Sequence, residues 1–263
     1  MEMPEDDFTD ILRKAMIGNA LAPQELARRA EASVASLNHF QKGQFDETLA
    51  RNIATALDLN ADAFASIDSY RPKASIPPEI HRLTLPFGRG HVNAWMLEAE
   101  NQWILFDTGY QAKDLRAELD QRFGRLPDRV FITHAHRDHT GGIRHLLQHG
   151  IPIHAQGIRE TTAMKPGDSI RTGQITIRAC DLAGHAIPAL GFHIEGLNAP
   201  VMITGDALFA GSIGGCATPE AYRIALKNIR HAFDNSPPDC VILPGHGPAT
   251  YWGAESNHNP FIA

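Results

Sequence analysis

One stretch constrains this chain more than any other: Thr133-His134-Ala135-His136-Arg137-Asp138-His139-Thr140-Gly141-Gly142. It follows the apolar run Val130–Thr133 and precedes a helical pattern, which places it in a strand-to-helix turn. Three His and one Asp within six residues supply N and O donors suited to divalent metals. His134 and His136 are two apart, so an extended segment points both the same way. Asp138 and His139 come after the chain turns and can point elsewhere. One short loop can therefore serve two neighbouring metal positions.

The surrounding texture gives the fold class. From His81 onward short apolar runs appear at Arg82–Phe87, Val92–Glu98, Trp103–Phe106, Val130–Thr133, Ile175–Ala179, Gly191–Ile194, Val201–Thr204 and Val241–Leu243. Helical patterns over Ala112–Phe123, Gly142–Gln148 and Pro219–Phe233 interrupt them. Hairpin-like strands come first and alternate with helices later, which predicts an α/β fold with a mixed sheet, or two sheets, and helices outside. Before this region the pattern is helical: Phe8–Ile17, Gln24–Ala30, Ser33–Lys42, Asp46–Leu57 and Ala61–Ile67. The expected organisation is a helical domain over residues 1–68, a Pro-rich linker over 69–80 and a larger domain over 81–263.

Composition excludes several classes. With 43% hydrophobic residues the 263-residue chain can build a core. Its three Cys (Cys180, Cys216, Cys240) are too widely spaced for a disulfide framework or a Cys-based zinc site. No apolar run of about 18 residues exists, so no membrane span is expected. The N-terminus is acidic, whereas a signal peptide would be basic and then apolar, so a cytoplasmic protein is expected. Of the 14 His, His39, His231 and His258 show no ligand spacing, and the others outside the motifs have structural or surface readings.

The run His-x-His-x-Asp-His followed by Gly-Gly resembles the signature of the metallo-β-lactamase-fold hydrolases. Four further segments resemble that family's motifs in order: Phe106-Asp107-Thr108-Gly109, Ala183-Gly184-His185, Thr204-Gly205-Asp206 and Pro244-Gly245-His246-Gly247. The resemblance implies an αββα sandwich whose motif loops converge at one edge of two sheets. It implies one metal on His134, His136 and His185, a second on Asp138, His139 and His246, with Asp206 bridging and Asp107 in support. Two divalent ions are expected, zinc first, with iron or manganese as alternatives. Asp138 and Asp206 would act catalytically by orienting a metal-bridging hydroxide.

Within that family, Gly205-Asp206-Ala207-Leu208-Phe209-Ala210-Gly211-Ser212, Leu243-to-Thr250 and Asn259-Pro260-Phe261 are similar to the glyoxalase II-like (hydroxyacylglutathione hydrolase-like) branch. That likeness implies hydrolysis of a small-molecule acyl thioester, whose thiolate leaves with little need of protonation. Lactonase and mono-iron sulfur dioxygenase activities of the same fold are the alternatives. The chain departs from the branch at Gly215, where a basic residue would face glutathione, and about a dozen residues follow Thr250. His91, in the turn Gly88-Arg89-Gly90-His91, and Gly215 are candidate substrate contacts.

The segment Gln24–Ala30, then Ser33–Phe40 and Lys42-Gly43, resembles a helix-turn-helix of the phage-repressor-like (Cro/C1) class. That likeness raises a second reading, a DNA-binding regulator whose hydrolase domain senses a metabolite, with Asn38, His39, Gln41 and Lys42 as candidate DNA contacts. Charge opposes it. Residues 1–66 carry six Lys and Arg against eleven Asp and Glu, a net −5 of the chain's −6. DNA binding depends on neutralising phosphates, so a docking, lid or homodimerising role for the helices is the expectation, with no nucleic-acid partner.

Overall fold

The computed structural model describes residues 2–263. Its first quarter is helical: α1 (Phe8–Gly18), α2 (Pro23–Arg29), α3 (Val34–Gln41), α4 (Glu47–Ala56) and α5 (Ala61–Ala65). Each start has a local cause. Asp7, Ser33, Asp46 and Asn60 turn their side chains back onto backbone N–H groups of the first turn. Pro23 opens α2, where its missing N–H costs nothing. The sequence boundaries for these helices agree to within one or two residues, except that the fifth ends early and passes into a 3-10 turn at Ile67–Ser69.

The rest of the chain runs β1 (Ile80–Phe87), β2 (Gly90–Ala99), β3 (Gln102–Phe106), α6 (Ala112–Arg122), β4 (Arg129–Phe131), α7 (Arg137–Thr140), α8 (Ile143–Gln148) and β5 (Ile153–Ala155). It continues through β6 (Thr162–Ala163), β7 (Ser169–Thr172), β8 (Ile175–Asp181), β9 (Leu190–Glu195) and β10 (Val201–Gly205). The last elements are β11 (Leu208–Phe209), β12 (Ser212–Ile213), α9 (Pro219–Phe233), β13 (Val241–Pro244), β14 (Thr250–Tyr251) and α10 (Trp252–His258).

The strands form two six-stranded sheets, ordered β1-β2-β3-β4-β5-β6 and β14-β13-β10-β9-β8-β7, with β11-β12 as a separate hairpin. The first sheet is antiparallel through β3 and parallel beyond it. Period-two alternation sorts the side chains between layers. Trp95, Leu97, Ile104, Phe106 and Phe131 meet Ile177, Phe192, Val201, Ile203 and Leu243 between the sheets. The alternate residues Ala94, Met96, Leu105 and Val130 face outward and pack with Leu115, Leu119 and Leu146 of α6 and α8. On the far side, Met202 and Ile242 turn toward α9. The expected αββα sandwich is the observed architecture.

The five N-terminal helices do not stand apart from it. Ile11, Leu12, Leu26, Phe40, Ile53 and Phe64 belong to the same apolar cluster as Tyr222, Ala225, Ile229 and Phe233 of α9. Gly18 makes this possible: a Cβ there would lie 2.4 Å from the Tyr222 ring, so only a bare backbone allows α1 to approach α9 this closely. The Pro-rich stretch expected as a linker is anchored at its start by Tyr70. The phenol donates to Glu255 at 2.6 Å. Glu255 is fully buried and also accepts from the Thr250 hydroxyl (2.7 Å), the Gly211 N–H (2.8 Å) and the Asn259 amide (2.8 Å). One carboxyl group thus ties the linker, the hairpin that follows Asp206, and the C-terminal segment together.

Glu255→Ala leaves four donors, three of them buried, without this acceptor. We expect it to lower the unfolding free energy by about 3 kcal/mol, read from urea denaturation, with Glu255→Gln costing less. Unchanged stability in Glu255→Ala would show that this carboxyl group does not join the segments.

Candidate metal centre

The His-rich run begins where β4 ends. The strand stops at Phe131 rather than Thr133, because Thr133 is taken out of the ladder by a side chain. Asp107, just after β3, accepts the Thr133 N–H (2.8 Å), the Thr133 hydroxyl (2.8 Å) and the His139 Nδ1–H (2.8 Å). Asp107 does this from a left-handed backbone conformation (φ 61°), which is unfavourable for a non-glycine residue and is held here by its three bonds. His136 caps the short helix α7, which carries Asp138 and His139 inward. His185 lies in the loop between β8 and β9, Asp206 directly after β10, and His246 directly after β13. Parallel pairing of β10 with β13 brings these last two strand ends side by side.

Two clusters result. His134, His136, His185 and Asp206 form one, and Asp138, His139, Asp206 and His246 the other, the potential ligand atoms of each lying within 4.8 Å of one another. Asp206 belongs to both. Its carboxylate stands 3.2 Å from His139 Nε2, 3.5 Å from His246 Nε2 and 3.6 Å from His185 Nε2. Asp138 stands 3.3 Å from His246 Nε2. All seven residues singled out by sequence therefore converge.

Four of the five imidazoles have Nδ1 bonded to a protein group. Thr133 Oγ1 faces His134 (2.9 Å), Asp107 faces His139 (2.8 Å), the Gly215 carbonyl faces His185 (2.7 Å) and the His91 carbonyl faces His246 (2.9 Å). Bonding at Nδ1 leaves Nε2 free for a ligand. His136 is reversed: its Nδ1 lies 3.0 Å from both His134 Nε2 and His185 Nε2, so Nδ1 is the atom it offers.

The donor set fits a pair of cations. His139 Nε2 and Asp206 Oδ1 are buried, and among the described residues neither has a hydrogen-bond partner of good geometry. A buried polar atom without a partner is costly, and a cation held by the second cluster would satisfy both. Glycine backbones make room for it. A Cβ on Gly245 would meet Asp206 Oδ1 at 2.2 Å, and one on Gly214 would meet the Asp206 carbonyl at 1.9 Å.

Without cations, protons take their place. Burial works against charge on His246, but bonds to Asp138 and Asp206 outweigh it and raise its pKa to about 10. Burial also opposes charge on His139, and the carboxylates of Asp206 and Asp107 overcome it, raising its pKa well above the usual value. Asp206 is held well below the usual carboxylate range: burial pushes it up, and His139 and His246 more than compensate. His134 goes the other way. Burial and then its imidazole neighbours lower it to about 2, so it is neutral and ready to ligate.

The remaining candidates fall as follows. His91 and Gly215 lie at the site, yet each meets it through a backbone carbonyl that orients an imidazole, and the His91 side chain is exposed. Asn38, His39 and Lys42 are exposed on the helical region, while Gln41 turns to the Met16 sulfur. The nearby basic groups are engaged. Arg28 and Arg29 share Glu25, Arg51 holds Glu47 and Asp62, and Arg13 holds Asp10. Sequence reasoning missed the linking role of Thr133, although Thr133 stands inside the motif, and it missed Lys14, whose signal is only three-dimensional.

A layered sandwich whose His and Asp loops converge at one sheet edge is an arrangement that could hold metal ions. The profile of the metallo-beta-lactamase superfamily matches residues 87–174, about a third of the chain. It is 26% identical over 206 residues to the probable metallo-hydrolase YqgX of Bacillus subtilis, covering 68% of this chain and 95% of that one. It is 31% identical over 127 residues to a hydroxyacylglutathione hydrolase of Photorhabdus laumondii, covering 46% of this chain and 48% of that protein. The match thus spans about half the length of that relative. Among solved structures, TTHA1623 in a di-iron-bound form superposes with a TM-score of 0.56 at 26% identity, covering 69% of this chain and all of that one.

Ligation requires neutral imidazoles, whereas the facing carboxylates raise the pKa of His246 to about 10 and that of His139 well above its usual value. Metal uptake at pH 7 should therefore release roughly one to two protons, measured by calorimetry in buffers of different ionisation enthalpy. A heat independent of buffer would contradict this.

Proposed function

We propose that the chain is a hydrolase that uses two divalent metal ions to cleave a small acyl thioester. The observation that carries this reading is the sharing of Asp206 between two complete donor clusters. His134, His136 and His185 would hold the first ion, Asp138, His139 and His246 the second, and Asp206 both. The donors are imidazole and carboxylate, which accommodate zinc, iron or manganese. When bound, such a pair supplies Lewis-acid charge that acidifies a water and polarises a carbonyl.

The chain's own residues do the rest. Asp138 is held below its usual range: burial opposes this, but the bond from His246 and the charge of His139 prevail. It is a carboxylate at pH 7, and its oxygen can accept a hydrogen bond from the attacking water and orient it. Asp107 and the carbonyls of His91 and Gly215 keep the imidazoles in place. Phe87, partly exposed, and Phe209 each lie 6.0 Å from the His246 ring and give the approach an apolar side. A thiolate departs without an acid catalyst, and a thioester therefore makes the smallest demand on this set of residues. Covalent catalysis by cysteine finds no support. Burial pushes the Cys216 thiol up to about 11, so it is not a thiolate at neutral pH.

The test is a hydrolysis panel on metal-analysed protein: S-lactoylglutathione, CoA thioesters and lactones. Thioester cleavage is expected, and Asp206→Ala should lower it by at least about 100-fold with loss of metal and retention of fold. Cleavage of lactones alone would contradict the thioester assignment. Full activity and metal content in Asp206→Ala would contradict the binuclear one.

A further inference from the structure

Lys14 is an unusual residue for its position. It lies on α1, yet it is only 7% exposed, and its side chain reaches the β11–β12 hairpin. Its ammonium pairs with Asp6 and donates to the carbonyl of Ile213 at 2.8 Å. It also lies 5.2 Å from the Phe209 ring centroid. A lysine is almost never buried to this extent unless it is paired, and here the pairing holds it against one particular loop.

That loop is Ile213-Gly214-Gly215, and its other face carries His185. The Gly215 carbonyl accepts His185 Nδ1–H at 2.7 Å. Gly214 is packed so tightly that a Cβ on it would meet His185 Cβ at 2.8 Å and the Asp206 carbonyl at 1.9 Å. Lys14 Cε is 3.9 Å from where a Gly215 Cβ would be. The loop is thus sandwiched between Lys14 and His185. Two consecutive glycines leave the backbone much freedom to lose, so the loop needs an external hold if its carbonyl is to keep one direction.

We propose that Lys14 is a positioning residue for the first cluster: the helical region, through this ammonium, fixes the Gly-Gly loop whose carbonyl orients His185. The helices are then part of the metal centre's support rather than an appended module. Orientation of a ligating imidazole by the partner of its other nitrogen is worth about 10–100-fold in metal affinity. The second cluster receives no such hold from Lys14. His246 is oriented by the His91 carbonyl and His139 by Asp107.

This inference rests on the reading of His185 as a ligand, and the experiment separates the two. Lys14→Met alone would leave the Asp6 carboxylate without its partner, so the variant is Asp6→Asn/Lys14→Met. Zinc affinity at each site is measured by chelator competition, and the His185 Nδ1–H signal is followed by 15N NMR. We expect wild type to bind two ions and the double variant to lose about 10–100-fold at one site only. The His185 signal should shift or broaden while that of His246 stays. Asp6→Asn, which leaves the apolar packing of α1 intact, should show the same selective loss to a smaller degree, and Lys14→Arg should restore most of it. Wild-type affinity at both sites with an unchanged His185 signal would overturn the role of Lys14, as would equal weakening of both sites. If wild type binds no metal while His185 keeps its bond to Gly215, the metal reading fails and this inference fails with it.

Discussion

The carboxylate of Asp107 is the fixed point of the site. It receives three hydrogen bonds, two from Thr133 and one from His139. Through the Thr133 hydroxyl the influence reaches His134, since the same oxygen that donates to Asp107 faces His134 Nδ1. One buried carboxylate therefore orients an imidazole in each cluster and ends β4 early enough for the His-rich run to turn inward. The left-handed backbone at Asp107 is the conformational cost of this arrangement. The remaining supports are backbone carbonyls, at His91 and Gly215, delivered by the β1–β2 hairpin and the loop after β12.

The second organising contact lies away from the site. Glu255 gathers donors from the linker, the β11–β12 hairpin, β14 and the C-terminal segment. Lys14 holds Ile213, the last residue of the same hairpin. The hairpin after Asp206 is thus fixed by groups that come from both ends of the chain. This arrangement also gives the acidity of the first 66 residues a physical setting. Among the described residues, Arg13, Lys14, Arg28, Arg29 and Arg51 are all held by carboxylates. The sixth basic residue of this segment, Lys42, is exposed.

Much of this was legible in the sequence, for reasons that can be named. The candidate metal donors stand in local motifs: the run His134–His139 carries its own signal, and the resemblance to a family pointed to His185, Asp206 and His246. Short apolar runs revealed the long strands, and helical spacing revealed the helices. What was hidden has no local signature. Carbonyl acceptors such as those of His91 and Gly215 exist at every residue, so no local signature marks these two as partners of an imidazole. The two-residue strands β6, β11, β12 and β14 are too short to show a period. Lys14 and Glu255 act on partners 199 and up to 185 residues away, which no spacing can encode.

The central claim is that two cations share Asp206. Anomalous diffraction at the absorption edge of the bound metal, on crystals of the purified protein, tests it most directly. Two peaks are expected, one beside His134, His136 and His185 and the other beside Asp138, His139 and His246, with the Asp206 carboxylate between them. A single peak, or two that do not flank Asp206, would contradict the account.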